Sequence, residues 1–115
     1  MKINKQTEGS IVILEPLGDM GLYNLGELRE MLQELRDNGD LQVLINMERV
    51  PGIDSISIGF LIQETTLFME QGGELKLANL SASVRKSLQV TETLTQMDVY
   101  ANVASALASF RKSGK

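Results

Sequence analysis

Short β-branched or apolar runs alternate with helix-period runs along this chain, and that alternation leaves few architectures open. Lys2 to Thr7 reads as a short edge strand, and Glu8-Gly9 as the turn out of it. Ser10-Ile11-Val12-Ile13-Leu14-Glu15 is continuous and β-branched until Pro16 and Gly18 stop it, the pattern of a buried strand. From Leu22 to Arg36 the apolar residues Leu25, Leu28, Met31, Leu32 and Leu35 recur at helical spacing, closed by Asn38-Gly39. Leu41 to Met47 is the next strand, with Val43, Leu44 and Ile45 too apolar to face water on both sides. A helix then starts near Ser55, runs to about Gln71 and stops at Gly72-Gly73. Leu75 to Ala78 forms a short strand, and Ala82 to Leu88 a brief helix that Ser81 caps. Residues 89–96 read as a loop or frayed turn, Val99-Tyr100 as a last strand, and Val103 to Phe110 as an alanine-rich helix with one apolar face. The expectation is a single α/β domain over residues 1–115, with a central mixed, mostly parallel β-sheet of about four or five strands flanked by about four α-helices.

The segment Val50-Pro51-Gly52-Ile53-Asp54-Ser55-Ile56-Ser57-Ile58-Gly59 carries the candidate chemistry. A hydroxyl directly behind a carboxylate falls where a helix starts, beside backbone N–H groups that accept anionic oxygens. Two roles fit these residue types. Asp54 or Ser55 caps the helix, or the serine is phosphorylated and the helix end partly stabilises the phosphate.

Composition excludes other classes of function. At 115 residues, 43% hydrophobic and 23% charged, the chain is globular and large enough to bury a working core. A formal net charge of −4 argues against a nucleic-acid partner. Cysteine is absent, which removes disulfides, thiolate metal sites and cysteine nucleophiles. Histidine is absent too, and with it the commonest general base and metal ligand. Acid–base work would fall on carboxylates or lysines, and no pair of these is spaced to suggest a cleft. Neither a cofactor nor a metal is expected, and an enzyme has little support. The opening Met1 to Glu8 lacks the apolar core of an export signal. The most apolar helix, residues 56–69, is interrupted by Ser57, Gln63, Glu64, Thr65 and Thr66 and is too short to cross a bilayer. A cytoplasmic protein without direct membrane insertion is expected.

The order strand, strand, helix, strand, Asp54-Ser55, helix ending Gln71-Gly72-Gly73, strand, Ser81-Ala82-Ser83-Val84-Arg85-Lys86 resembles the STAS domain, the anti-sigma-factor antagonist family. Family members carry Leu-Asp-Leu, matched here by Ile45-Asn46-Met47, and then Asp-Ser-(Ser/Thr/Ala)-Gly-(Leu/Ile)-Gly, matched by Asp54-Ser55-Ile56-Ser57-Ile58-Gly59. The resemblance covers nearly the whole chain and implies a STAS-like partner-switching regulator. Unmodified, such a domain binds a kinase-type anti-sigma factor or related switch protein and frees that protein's other client. Phosphorylated on the serine after the aspartate, here Ser55, it lets go, and a phosphatase resets it. Ser57 offers a second hydroxyl. The implied partner surface comprises Asp19, Met20, Gly21, Leu22, Tyr23, Asp54, Ser55, Ile56, Ser57 and Ile58.

Three departures from the family pattern bear on that role. Ile56 replaces a small or hydroxyl residue, Ser57 replaces a glycine, and Gly18-Asp19-Met20-Gly21 replaces Gly-Glu-Leu-Asp. The first two lean toward an alternative, a constitutive STAS adaptor subunit of a transporter or signalling scaffold that is never phosphorylated. Elsewhere the residues point to structure. Asp37 with Asp40 and Glu48 with Arg49 fit no metal loop and read as solvated surface. Gly72-Gly73 lacks the Lys-Ser of a phosphate loop and reads as a helix stop. Met20, Met31, Met47, Met69 and Met97 read as core filling, with an adaptable surface around Met20 and Leu22 as the other option. An oligomer is possible through Val12-Ile13-Leu14, which lie near an edge strand.

Overall fold

A computed structural model describes residues 1–113. The elements are β1 (Lys2–Glu8), β2 (Ile11–Leu17), α1 (Gly26–Asp37), β3 (Gln42–Asn46), α2 (Ser55–Glu70), β4 (Glu74–Ala78), α3 (Ala82–Val90), β5 (Asp98–Tyr100) and α4 (Val103–Ser113), with a 3₁₀ turn at Leu94–Gln96. The strands lie in sequence order in one five-stranded sheet. β1 is antiparallel to β2, and the other neighbours are parallel. The expected α/β architecture, with a mixed, mostly parallel sheet, is what forms.

That strand order decides where the helices go. Parallel crossovers are right-handed, so crossovers stepping one way across a sheet all pass over the same face. α1, α2 and α3 accordingly share one face, where Leu28, Leu32, Leu35, Leu61, Phe68, Val84 and Leu88 pack on Val12, Leu14, Val43, Ile45, Leu75 and Leu77. The opposite face is left to α4, whose Ala106 and Phe110 cover Ile11, Ile13, Leu44 and Ala78. Lys76 alternates onto that second face and is buried there. Its Nζ lies 2.7 Å from Asp98 Oδ2, 3.3 Å from Glu74 and 3.2 Å from the Tyr100 hydroxyl. Burial opposes the ammonium charge, but these partners outweigh it and hold its pKa above the ordinary lysine value.

Four expectations are revised. α1 starts at Gly26, not Leu22, because the Asn24 side chain closes a turn instead. Its Oδ1 accepts the Gly21 N–H at 2.8 Å, and its Nδ2 donates to the Asp19 carbonyl at 2.6 Å. β2 continues through Pro16 to Leu17. Its pairing with β3 covers Val12 to Leu14, so a residue without an N–H interrupts no central ladder at position 16. α3 extends to Val90 and closes properly: the Glu92 N–H bonds to Gln89 O and the Thr93 N–H to Leu88 O, with Glu92 at φ 59°. Finally, β2 is flanked by β1 and β3, so Val12 to Leu14 have no free edge for pairing between copies.

Candidate functional site

The loops after β2 and β3 meet at the carboxyl end of the sheet. Met20 and Ile53 form an isolated parallel bridge, with Met20 N–H to Gly52 O at 3.0 Å and Asp54 N–H to Met20 O at 3.2 Å. Side chains fit tightly around this zipper. A Cβ on Gly21 would lie 3.2 Å from Asp54 Oδ2, and one on Gly52 would lie 3.2 Å from Asp19 Oδ1. Gly21, the departure from the family's aspartate, therefore leaves room for the carboxylate of Asp54.

Asp54 is the N-cap of α2, with extended backbone at φ −98° and ψ 173°. Its Oδ1 accepts the Ser57 N–H at 2.9 Å and its Oδ2 accepts the Leu22 N–H at 3.0 Å. The Ser57 N–H above all, then the Ser57 hydroxyl, with the Leu22 N–H adding, holds this carboxyl below the ordinary aspartate pKa against the opposing effect of burial. Of the two roles open to this pair of residues, capping belongs to Asp54. Ser55 is then the first residue of the helix, and its side chain is exposed.

The structure divides the ten expected surface residues. Asp19, Leu22, Tyr23, Asp54, Ser55 and Ile56 stand in solvent, and Gly21 is half-buried. Leu22 is 54%, Tyr23 98% and Ile56 51% exposed, large apolar side chains left uncovered on the loop bound to Asp54 and on the first turn of α2. Three of the ten are interior. Met20 and Ile58 are 1% and 5% exposed, because the Met20–Ile53 bridge and the second turn of α2 turn them into the core. Ser57 is 0% exposed, and its hydroxyl makes no well-formed hydrogen bond among the described residues, although it helps hold the Asp54 carboxylate ionised. Burial removes Met20 and Ser57 from any docking contact, leaves Ile58 only a small edge in a groove beside Ser55, and removes Ser57 as an acceptor of phosphate.

Sequence reasoning missed Asn24 and the neighbourhood of α3. Ile53, Ser55 and Ile58 form one wall of a groove of about 370 Å³ whose other wall is Ser83, Lys86, Ser87, Val90 and Thr91. The signal was present in the spacing of positions 83, 86, 87 and 90, which share one helix face. No helix among the described residues is long and apolar enough to cross a membrane.

With that geometry in view, the STAS domain family model matches residues 2–106. The chain belongs to the STAS domain, anti-sigma-factor antagonist family. It is similar to the anti-sigma-B factor antagonist of Bacillus subtilis, 31% identical over 105 residues that cover 88% of this chain and 94% of the relative. Among solved structures it is similar to an anti-sigma-factor antagonist (STAS) domain protein from Planctomyces limnophilus, with a TM-score of 0.82 and 18% identity over 95% of this chain and 97% of the other. It is also similar to the anti-sigma factor antagonist SpoIIAA in its unphosphorylated form, with a TM-score of 0.72 and 17% identity over 99% of this chain and 100% of the other. SpoIIAA of Bacillus has been solved phosphorylated as well, with a TM-score of 0.70 and 18% identity over 94% of this STAS chain and 98% of the other. At these identities the solved structures establish the fold of this STAS domain.

Proposed function

We propose that this STAS domain is an anti-sigma-factor antagonist that docks on a kinase-type anti-sigma factor or related switch protein and is released by phosphorylation of Ser55. The observation that carries this reading is the exposed Ser55 side chain at the first position of α2, next to exposed Ile56 and to the loop of exposed Leu22 and Tyr23 that Asp54 ties to the helix start. Those apolar side chains supply docking area on the same side of the sheet's carboxyl end as the serine. The name of the Bacillus subtilis relative and the phosphorylated form of SpoIIAA support it.

In the proposed cycle Ser55 Oγ attacks the γ-phosphorus of ATP held by the partner, its proton passes to a base of the kinase, and ADP leaves. The phosphoserine adds about 1.5–2 negative charges and a strongly hydrated group. They arrive beside the carboxylates of Asp19 and Asp54, and burying the phosphate against the partner would cost more than the apolar contacts return. A phosphatase then hydrolyses the ester with water, releasing inorganic phosphate and restoring the hydroxyl. The cycle takes place in the cytoplasm, affects transcription through the partner's client, and requires no cofactor on this domain.

The adaptor alternative drew on Ile56 and Ser57. The buried side chain of Ser57 leaves the surface unchanged, so exposed Ile56 is what still favours it. Phosphopeptide mass spectrometry of protein isolated from its native cells tests the choice. The expected result is a phosphorylated fraction at Ser55 and none at Ser57. Absence of phosphate at Ser55 across growth and stress conditions would overturn the switch in favour of the adaptor.

A further inference from the structure

α3 carries Ser83, Lys86, Ser87 and Val90 at steps of i, i+3, i+4 and i+7, so all stand on one face. That face is the wall opposite Ser55 in the groove between α2 and α3. Lys86 is exposed, and its ammonium makes no hydrogen bond or ion pair among the described residues. Arg36 and Lys76, by contrast, are each held by a carboxylate. A cation without a partner therefore lines the same groove as the exposed serine.

Ser55 and Lys86 line one groove, and lysine carries its charge on a flexible four-carbon stem. A phosphoryl group extends the serine side chain into the gap from the α2 side, and the lysine reaches in from α3. The groove is open to solvent, so both groups enter it without moving the backbone. Val90, 72% exposed at its far end, and the half-buried Ile53 give it apolar margins.

Building on the reading that Ser55 is phosphorylated, we infer that Lys86 holds the phosphoryl group across the α2–α3 groove, with the Ser83 and Ser87 hydroxyls as further donors. The charged groups on the segments around Ser55 are Glu48, Arg49 and Asp54 on the β3–α2 loop, Asp19 on the β2–α1 loop, and Arg85 and Lys86 on α3. Of the cations among these, Lys86 is the one that lines the groove with Ser55. Phosphorylation thus does more than add charge to the docking patch. It turns the phosphate toward α3, offsets the repulsion from Asp54, and shelters the ester from the phosphatase, so the released state persists.

The experiment installs phosphoserine at position 55 during translation, which requires no native kinase, and follows its second ionisation by ³¹P NMR against pH. Lys86 stabilises the dianion, so Lys86→Gln is expected to raise this pKa by about 0.3 unit or more, while Lys86→Arg keeps it near the wild-type value. Arg85→Gln, a neighbouring cation that does not line the groove, serves as the control for long-range charge. Phosphatase treatment should also release phosphate faster from Lys86→Gln than from the wild type. A pKa that moves no further in Lys86→Gln than in Arg85→Gln would overturn the assignment to Lys86 and leave phosphorylation itself standing. A native protein that never carries phosphate would overturn the proposed function, whatever the titration shows.

Discussion

One oxygen of Asp54 accepts the Leu22 N–H at 3.0 Å while the other caps the helix at Ser57, so a single carboxylate joins the start of α2 to the loop after β2. The loop that carries exposed Leu22 and Tyr23 is therefore held to the start of α2 by the same side chain that fixes the helix end. Removing it acts on both at once.

Asp54→Ala should cost about 0.5–2 kcal/mol of stability, the range for loss of a side-chain cap, whereas Asp54→Asn keeps a capping oxygen and most of the stability. The pH dependence follows from the lowered pKa. Because the folded value lies below the ordinary 3.8, the contribution is present above that value and is lost as pH falls through the folded pKa. Urea unfolding at neutral and acid pH checks both points, and Asp54→Asn should flatten the acid decline. An Asp54→Ala variant as stable as wild type would contradict the role of the carboxylate.

Ser57 is a different case, a hydroxyl buried where the family has glycine, which makes no well-formed hydrogen bond among the described residues but helps hold the Asp54 carboxylate ionised. That weak contact offsets the cost of burying the hydroxyl, so Ser57→Ala should change stability at neutral pH by less than about 1 kcal/mol. The urea midpoint should stay close to that of wild type, with an unchanged slope. A midpoint displaced by the equivalent of about 2 kcal/mol or more would contradict this balance.

α1 and α2 are joined by Arg36 and Glu64, whose side chains are 13% and 4% exposed and meet at 3.3 Å through both Nε–Oε1 and Nη2–Oε2. The guanidinium also lies 5.9 Å from the centre of the Phe68 ring. Glu64→Ala strands that charge in the interior and should cost about 3 kcal/mol, while replacing both partners with Arg36→Met and Glu64→Leu should recover much of the loss. Thermal unfolding of the two variants gives the comparison. Equal destabilisation in both would contradict the account of the pair.

The strand–helix alternation was legible because each buried strand reads as an apolar run and glycine marks two helix ends. Gly39 and Gly72 sit at φ 81° and 84° where α1 and α2 stop. The end of α3 was hidden because Glu92 occupies the equivalent left-handed position, and nothing in its side chain announces that backbone. Glu92→Gly should therefore stabilise the protein by about 1 kcal/mol, read as a higher unfolding midpoint, and a lower midpoint would contradict the cap assignment.

The site divides along the same physical line. Asp54 and Ser55 could be placed from residue type, since capping chemistry is local. The inward turn of Met20, Ser57 and Ile58 depends on how two loops zip together, and the approach of Lys86 depends on α2 and α3 being neighbours. Neither is written in local spacing. The buried Lys76 was equally invisible, because its partners Asp98 and Tyr100 lie on another strand.

The central claim is that the state of one exposed side chain decides whether this domain stays docked. The most direct test is the affinity of wild type, Ser55→Ala and Ser55→Asp for the switch protein captured from an extract of the native cells with Ser55→Ala as bait, measured by calorimetry. Wild type and Ser55→Ala should bind alike, and Ser55→Asp should bind at least about tenfold more weakly, a difference of roughly 1.4 kcal/mol. Equal affinity in all three would contradict the switch.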